Sequence, residues 1–419
     1  MSPISPHPAR KAALAFIFVT VLIDVLAFGL IIPVLPHLVQ QMVGGALSTA
    51  AYWIGLFSFA FALVQFFSAP VQGALSDRFG RRPVILLSCL GLGADFVFMA
   101  LAPTLGWLFV GRIISAMTSA SFTTANAYIA DVLPPERRAK GFGMIGAAFG
   151  LGFIIGPLLG GVLGTLDQRL PFWCAAGLAL LNFLYGLFVL PESLPRERRS
   201  LRFDWRHARP LGGVRLLREH PRIWGLAAVA FLANFAHYVY PSTFVLYADA
   251  AFGWKERQAG YVLAVVGVLS VIVNMALVGR LVKALGERRA MLLGLSCGAL
   301  GFALYAVATQ GWLFLLGLPI SALWAVAGPA TMAQITQRVP AGMQGRIQGA
   351  LSSLVSLAGI VAPATFAGTF GYFIGPHAPF RLPGAAFLVA ASLLALAVLV
   401  GWRYAREPAA ACAVAPEGG

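Results

Sequence analysis

Residues Gly73–Arg82 read GALSDRFGRR, and Gly279–Arg289 read GRLVKALGERR. Each segment is polar, lies between two apolar runs, opens on glycine and sets a second glycine just ahead of clustered arginines. The two are 206 residues apart, Gly73 to Gly279, and Pro157 and Pro363 keep the same spacing. Self-similarity at a fixed period marks a chain assembled from a repeated unit.

The flanking runs say what that unit is. Of the 419 residues 59% are hydrophobic and 11% charged, and the mean hydropathy is +0.83. A soluble fold of this composition would leave more apolar surface than it could bury. Apolar runs of about 20 residues recur from end to end, each long enough to cross a hydrocarbon core of about 30 Å. They predict spans at 12–36, 51–73, 83–102, 107–131, 141–164 and 171–190, then at 223–247, 258–283, 289–308, 312–336, 345–372 and 384–404. The expected fold is an all-α integral membrane protein with twelve transmembrane helices in two pseudo-symmetric six-helix bundles. Residues 1–190 form the first bundle and 223–404 the second. The basic, Pro-interrupted stretch 191–222 reads as a cytoplasmic linker, part of it an amphipathic helix along the membrane, and 405–419 as a disordered tail.

Orientation follows from the basic residues. With the N-terminus cytoplasmic, only Arg169, Lys255, Arg257 and Arg381 fall outside, Arg112 lies within a span, and the rest of the 30 lysines and arginines fall inside. That bias places both termini in the cytoplasm. It also accounts for the formal charge of +15 without nucleic acid, since anionic lipid attracts such loops. ARKAALAFIF near the start resembles a signal peptide, but its apolar run continues too far and no small-residue cleavage site follows, so it is expected to stay attached. Cys89, Cys174, Cys297 and Cys412 show no paired spacing for a metal or disulfide framework.

Asp24, in VLIDVLAFGL, and Asp95, in GADFVF, each lie about 18 Å of helix from the same membrane face. An acid at that depth costs about 2.5–3.5 kcal/mol on insertion scales and should face a bundle interior or a wet cavity. Burial favours the neutral form, which makes such a group a usable proton carrier. Arg112, in FVGRIISA, reaches a depth where it can pair with Asp95 or another acceptor, as a coupling group or a structural counter-charge.

The second half has no carboxylate within its spans, and the offset of 206 residues sets Ala230 opposite Asp24 and Gly301 opposite Asp95. Proton chemistry is therefore expected of the first half. The second supplies Asn234, His237, Asn274 and Gln334, with Tyr238, Tyr240 and Trp324 near them in sequence, types that orient an amphipathic ligand in a mostly apolar pocket. With Asp24 and Asp95 they make the candidate substrate site.

The loop between spans two and three, with Gly73, Asp77, Arg78, Gly80, Arg81 and Arg82, suits a tight turn whose charges pair with other helix ends, Asp131 among them. In span five Gly152, Gly156, Gly160 and Gly164 recur every four residues beside Pro157 and Gly161, a close-packing face and a candidate sliding or sealing surface. Pro33 removes a backbone donor in span one and predicts a bend there. No HExxH occurs, and none of Lys11, Lys140, Lys255 and Lys283 sits in a Walker A loop, so ATP is not the expected energy source.

These motifs carry a resemblance. GALSDRFGRRP, GRIISA, AYIADVLPPERRA and GFIIGPLLGG resemble the signatures of the major facilitator superfamily and, within it, the drug/proton antiporters. LIDVLAFGLIIPVLP and LGERRAMLLG extend the likeness to the tetracycline/proton antiporters over nearly the whole chain. The resemblance implies export of an amphipathic drug, such as tetracycline or a related small molecule, driven by proton entry across a bacterial inner membrane, with no cofactor. Asp24 and Asp95 match that family's membrane carboxylates, Arg112 its span-four arginine, Gln65 a second-span glutamine, and Asp77, Arg81 and Asp131 its cytoplasmic gate charges. Two positions depart from the pattern: Ser270 stands where those antiporters have a histidine in the eighth span, and Gly298 where they have an acid in the ninth. They weigh against metal-chelated tetracycline and leave proton-driven efflux in place. The implied mechanism is alternating access, with the cavity between the halves and the carboxylates trading substrate for protons. A proton symporter or uniporter of a nutrient would share this fold.

Overall fold

A computed structural model of the chain describes residues 8–118, 121–195, 197, 199, 221–339 and 344–405. Most of the expected linker, with its amphipathic helix, and the tail beyond residue 405 lie outside the described residues. The first half contains α1 (Pro8–Ile31), α2 (Leu35–Met42), α3 (Leu47–Phe79), α4 (Arg81–Leu101), α5 (Leu105–Thr118), α6 (Ser121–Val132), α7 (Pro135–Leu166) and α8 (Leu170–Val189). The second contains α9 (Pro221–His237), α10 (Val239–Phe252), α11 (Glu256–Ile272), α12 (Val278–Val307), α13 (Gly311–Ala322), α14 (Ala327–Gln337), α15 (Gln344–Ile374) and α16 (Ala385–Tyr404). No strand occurs among the described residues.

Several spans are built from two pieces, so element and span numbers differ. α1 and α2 form one apolar crossing, Ala15–Met42, interrupted at residues 32–34 around Pro33, where the expected bend occurs. α5 and α6 share the fourth crossing, α9 and α10 the seventh, α13 and α14 the tenth. The apolar stretch Glu256–Val307 holds two crossings, because Gly286 leaves helical geometry at φ 76°, ψ 161°. Among the described residues there are ten long apolar stretches, one of them double, and the shorter α5 with α6, which is consistent with twelve crossings.

Gly286 is the repeat counterpart of Gly80, which turns between α3 and α4 at φ 105°, ψ 162°. Both need the left-handed φ that costs a side-chain-bearing residue about 1–2 kcal/mol. The duplicated sequence thus folds into duplicated backbone.

Small residues decide how closely the bundles approach. α7 meets α11 where Gly161 lies against the Glu256 carbonyl and the α-carbon of Gly260, and Gly260 in turn against the carbonyl of Pro157. α3 meets α15 through Gly55 against Ala367 and through Gly371 against Ser48 and Tyr52. These α3–α15 contacts lie toward the arginine-poor end of the molecule. Toward the arginine-rich end, Gly73 of α3 and Gly349 of α15 face open space. The halves are thus in close contact at the arginine-poor end.

Candidate functional site

Asp95 is 1% exposed, on the buried face of α4. It packs beside Gly111 and Ser115 of α5, and a Cβ added at Gly111 would press on the carboxylate. Neither carboxylate oxygen has a hydrogen-bond partner. A buried ion without donors bears its full desolvation cost, and a proton removes that charge. Arg112, one residue beyond Gly111, supplies the nearby positive charge, but its guanidinium carbon lies over the Phe61 ring, 4.4 Å from the centroid. Among the described residues it makes no ion pair with Asp95; its charge acts on the acid at a distance. Gln65 sits one helical turn beyond Phe61 on α3.

Asp24, on α1, is half-buried. Its Oδ1 receives the amide of Asn182 from α8 at 3.5 Å. Asn182 is fully buried, takes the Thr20 hydroxyl at 3.2 Å and donates to Cys89 Sγ at 3.6 Å. Sequence reading passed over Asn182; the signal was an amide alone in the run ALLNFLYG. Cys89 lies in this cluster. The two acids thus occupy different settings: Asp24 is half-buried beside an asparagine amide, and Asp95 is buried beside the Ser115 hydroxyl.

The second half repeats the scaffold without the charge. Gly301, counterpart of Asp95, packs on Ser321, counterpart of Ser115, and both serines are buried. Gly298 packs against Trp324 and Leu394, on which a Cβ there would press. Ser270 and Asn274 pair with each other: the Asn274 amide, on a π-helical turn at Val273–Leu277, donates to the Ser270 carbonyl at 2.9 Å and to its hydroxyl at 3.4 Å. Such turns inside a helix cluster at functional sites. His237 is accessible at the break between α9 and α10, its ring 5.5 Å from Trp324. Asn234, one turn earlier, donates to the Ala230 carbonyl at 2.8 Å. Gln334 does not join them: it is buried near the arginine-rich end and takes Arg338 Nη1 on its carbonyl at 2.6 Å and on Oε1 at 3.4 Å. Tyr240 belongs to an aromatic core with Phe302, Tyr305 and Phe387.

At the arginine-rich end Arg81 binds Asp77 Oδ1 at 2.6 Å, Asp131 Oδ2 at 3.0 Å and the Ser76 hydroxyl at 2.9 Å. Asp131, from α6, is the partner its position in sequence suggested. Glu192, at the start of the linker, completes the site: its carboxylate accepts the Arg81 and Arg82 amides at 2.8 and 3.3 Å, neutralising the α4 N-terminus. Arg199 reaches the same carboxylate at 3.7 Å, and Arg82 donates to the Leu187 carbonyl at 2.6 Å. Arg78 lies over the Phe79 ring. All of these contacts stay within the first half and its linker, as expected where the halves are parted. Gly80→Ala combines left-handed strain with a Cβ driven into the Glu192 carboxylate. It should lower the melting temperature of the purified protein, and an unchanged value would remove Glu192 from this role.

Residues 17–363 match the family model described as Major Facilitator Superfamily. The chain belongs to that superfamily. Tetracycline resistance protein, class C, from Escherichia coli is 39% identical to this transporter over 84% of the chain and 88% of the relative. The class H protein of Pasteurella multocida is 30% identical over 95% and 97%. Among solved structures, a bacterial homolog of the human lysosomal transporter Spinster superposes with a TM-score of 0.77 at 17% identity, covering 96% of this chain and 98% of that one, which speaks for the fold alone. The human organic anion transporter MFSD10 gives 0.68 at 26% identity, covering 94% and 100%. The transporter is a multi-pass membrane protein.

Its span-five glycines divide between two neighbours. Gly152, Gly156 and Gly160 press α7 onto α1 of the same bundle, against Val25, Gly29 and Leu30. Gly161, rotated about 100° from Gly160, turns to α11 of the other bundle, and Gly164 touches both Val34 and Glu256. The four-residue repeat is mainly a packing face, and Gly161 is the span-five glycine turned to the seal between the bundles.

Proposed function

We propose that this transporter exports an amphipathic drug, with tetracycline the first to test, in exchange for protons, across a bacterial inner membrane with both termini in the cytoplasm. The observation that carries the proposal is Asp95: a carboxyl group 1% exposed within the first bundle, where the second bundle has Gly301. It is buried beside the Ser115 hydroxyl and within reach of the Arg112 charge, so gaining or losing a proton there changes the electrostatics of the bundle interior. Asp24 and Asn182 supply the second polar station. His237, Trp324 and the Asn274–Ser270 pair offer an aromatic and amide surface for the drug in the second half, with Gln65 on the first. The positive-inside bias sets the orientation, so the arginine-rich opening faces the cytoplasm, from which the drug is taken.

Relatives of 30–39% identity named for tetracycline resistance support the substrate class. No protein acid stands at position 298, so metal-chelated drug would have to be held by other groups. Expression in a pump-deficient host tests the proposal: resistance to tetracycline or another amphipathic drug is expected, abolished by dissipating the proton gradient. A susceptibility profile identical to the empty vector at normal expression would contradict it.

A further inference from the structure

At the arginine-poor end the two bundles meet around one imidazole. His37, on α2, is 3% exposed. Its Nδ1 is 3.3 Å from the Pro33 carbonyl oxygen and 3.3 Å from Glu256 Oε1, and its Nε2 is 3.7 Å from Asp249 Oδ2. Asp249 lies near the end of α10 and Glu256 opens α11, so both carboxylates belong to the second bundle. Gln168, just past α7, donates to the same Glu256 oxygen at 3.1 Å, and Lys255 holds the other Asp249 oxygen at 2.7 Å.

The atoms nearest the ring nitrogens are all acceptors. Nε2 makes no hydrogen bond, but each nitrogen lies within ion-pair distance of a carboxylate, so the imidazolium, unlike the neutral ring, is attracted to both acids at once. Charge balance agrees. With His37 protonated, two cations, His37 and Lys255, face two carboxylates. Without that proton, no cation faces the buried Glu256 among the described residues. Other charges nearby are engaged elsewhere: Asp167 caps the amides of Arg169 and Leu170, Arg169 donates to the carbonyls of Ala100 and Ala102, and Arg257 to the Tyr261 hydroxyl.

We infer that His37, Asp249 and Glu256 form a proton-operated latch, separate from the membrane carboxylates, that holds the outer end of the transporter shut while His37 is protonated. When the bundles part there, Asp249 and Glu256 leave with α10 and α11, and His37 keeps only the Pro33 carbonyl on its own side. Protonation supplies the positive charge that the two carboxylates of the closed form attract, so acid outside favours closure and return to the inward-open state. The proton arrives from the outer water and goes back to it on opening; it times the cycle and is not the ion transported. The latch rests on the proposed orientation, while its test requires no drug.

The test uses the full chain in lipid nanodiscs, with its four cysteines replaced by serine and spin labels at Gln41→Cys and His377→Cys, both exposed at this end. Pulsed electron resonance follows the distance between the bundles from pH 9 to pH 5. The expected result is a shift from long to short distances as pH falls. His37→Gln should abolish the shift, and Glu256→Gln, with volume and polarity kept, should reduce the short-distance population at the low-pH end. An unchanged shift in His37→Gln overturns the latch, as does an unchanged short-distance population in Glu256→Gln should the first variant fail to fold. Loss of the shift only in Asp24→Asn with Asp95→Asn would also overturn it and assign the pH response to the membrane acids. Because no drug is present, absence of efflux leaves this readout standing.

Discussion

Asp95→Asn is expected to reduce drug resistance to the level of cells carrying an empty vector while leaving the protein folded and in the membrane. The amide matches the carboxyl group in size, so packing against Gly111 and Ser115 is kept, but it cannot take up a proton between pH 5 and 9. Leaving one more polar group unpartnered costs about 1–3 kcal/mol, and in Asp95 both oxygens already lack a partner, so much of that cost exists in the native protein. The loss should fall on coupling. Exchange of labelled for unlabelled drug across vesicles, which needs no net proton movement, should continue in Asp95→Asn when gradient-driven accumulation has stopped. If exchange stops as well, Asp95 is needed for drug binding or for folding, and its assignment as the coupling acid fails. Asp24→Asn should be milder in its effect on folding, because Asn182 can hydrogen-bond an amide as well as an acid.

The second large effect concerns packing. Gly160→Val should sharply reduce the amount of folded transporter. A Cβ at Gly160 would overlap the carbonyl of Leu30, a backbone atom that cannot move aside as a side-chain end could. Overpacking of this kind costs about 1–3 kcal/mol where neighbours can adjust, and a backbone obstacle raises it. Gly161→Val, one residue along, meets the backbone of Glu256 and Gly260 in the other bundle. Its expected signature differs: normal folding of each half and a weakened seal between them, read as a rise in outer accessibility to a thiol reagent. Comparable expression and melting behaviour of Gly160→Val and wild type would show that α1 and α7 are not packed as described.

The fold was readable from sequence because its causes are linear. Apolar length, arginine asymmetry and a repeat at a fixed offset need no knowledge of neighbours, and Gly80 and Gly286 carry the repeat into backbone geometry. The membrane acids were readable too, since a charge in an apolar run is conspicuous. Residues that act by meeting a distant partner left a fainter trace. Asn182, Glu192 and His37 take their meaning from Asp24, the α4 N-terminus and the Asp249–Glu256 pair. Gln334 shows the converse: its type suited a ligand pocket, yet its depth along α14 puts it beside Arg338. The glycine face of span five was legible as a face, but which neighbour it meets depends on a rotation of about 100° between successive residues.

One measurement bears most directly on proton-driven export by these acids. In everted vesicles energised by an imposed pH gradient, acid inside, the wild-type chain should accumulate drug against its gradient and release protons as it does so. The Asp24→Asn, Asp95→Asn double variant should do neither. Drug accumulation in the double variant that still follows the imposed pH gradient as it does in wild type would contradict the account.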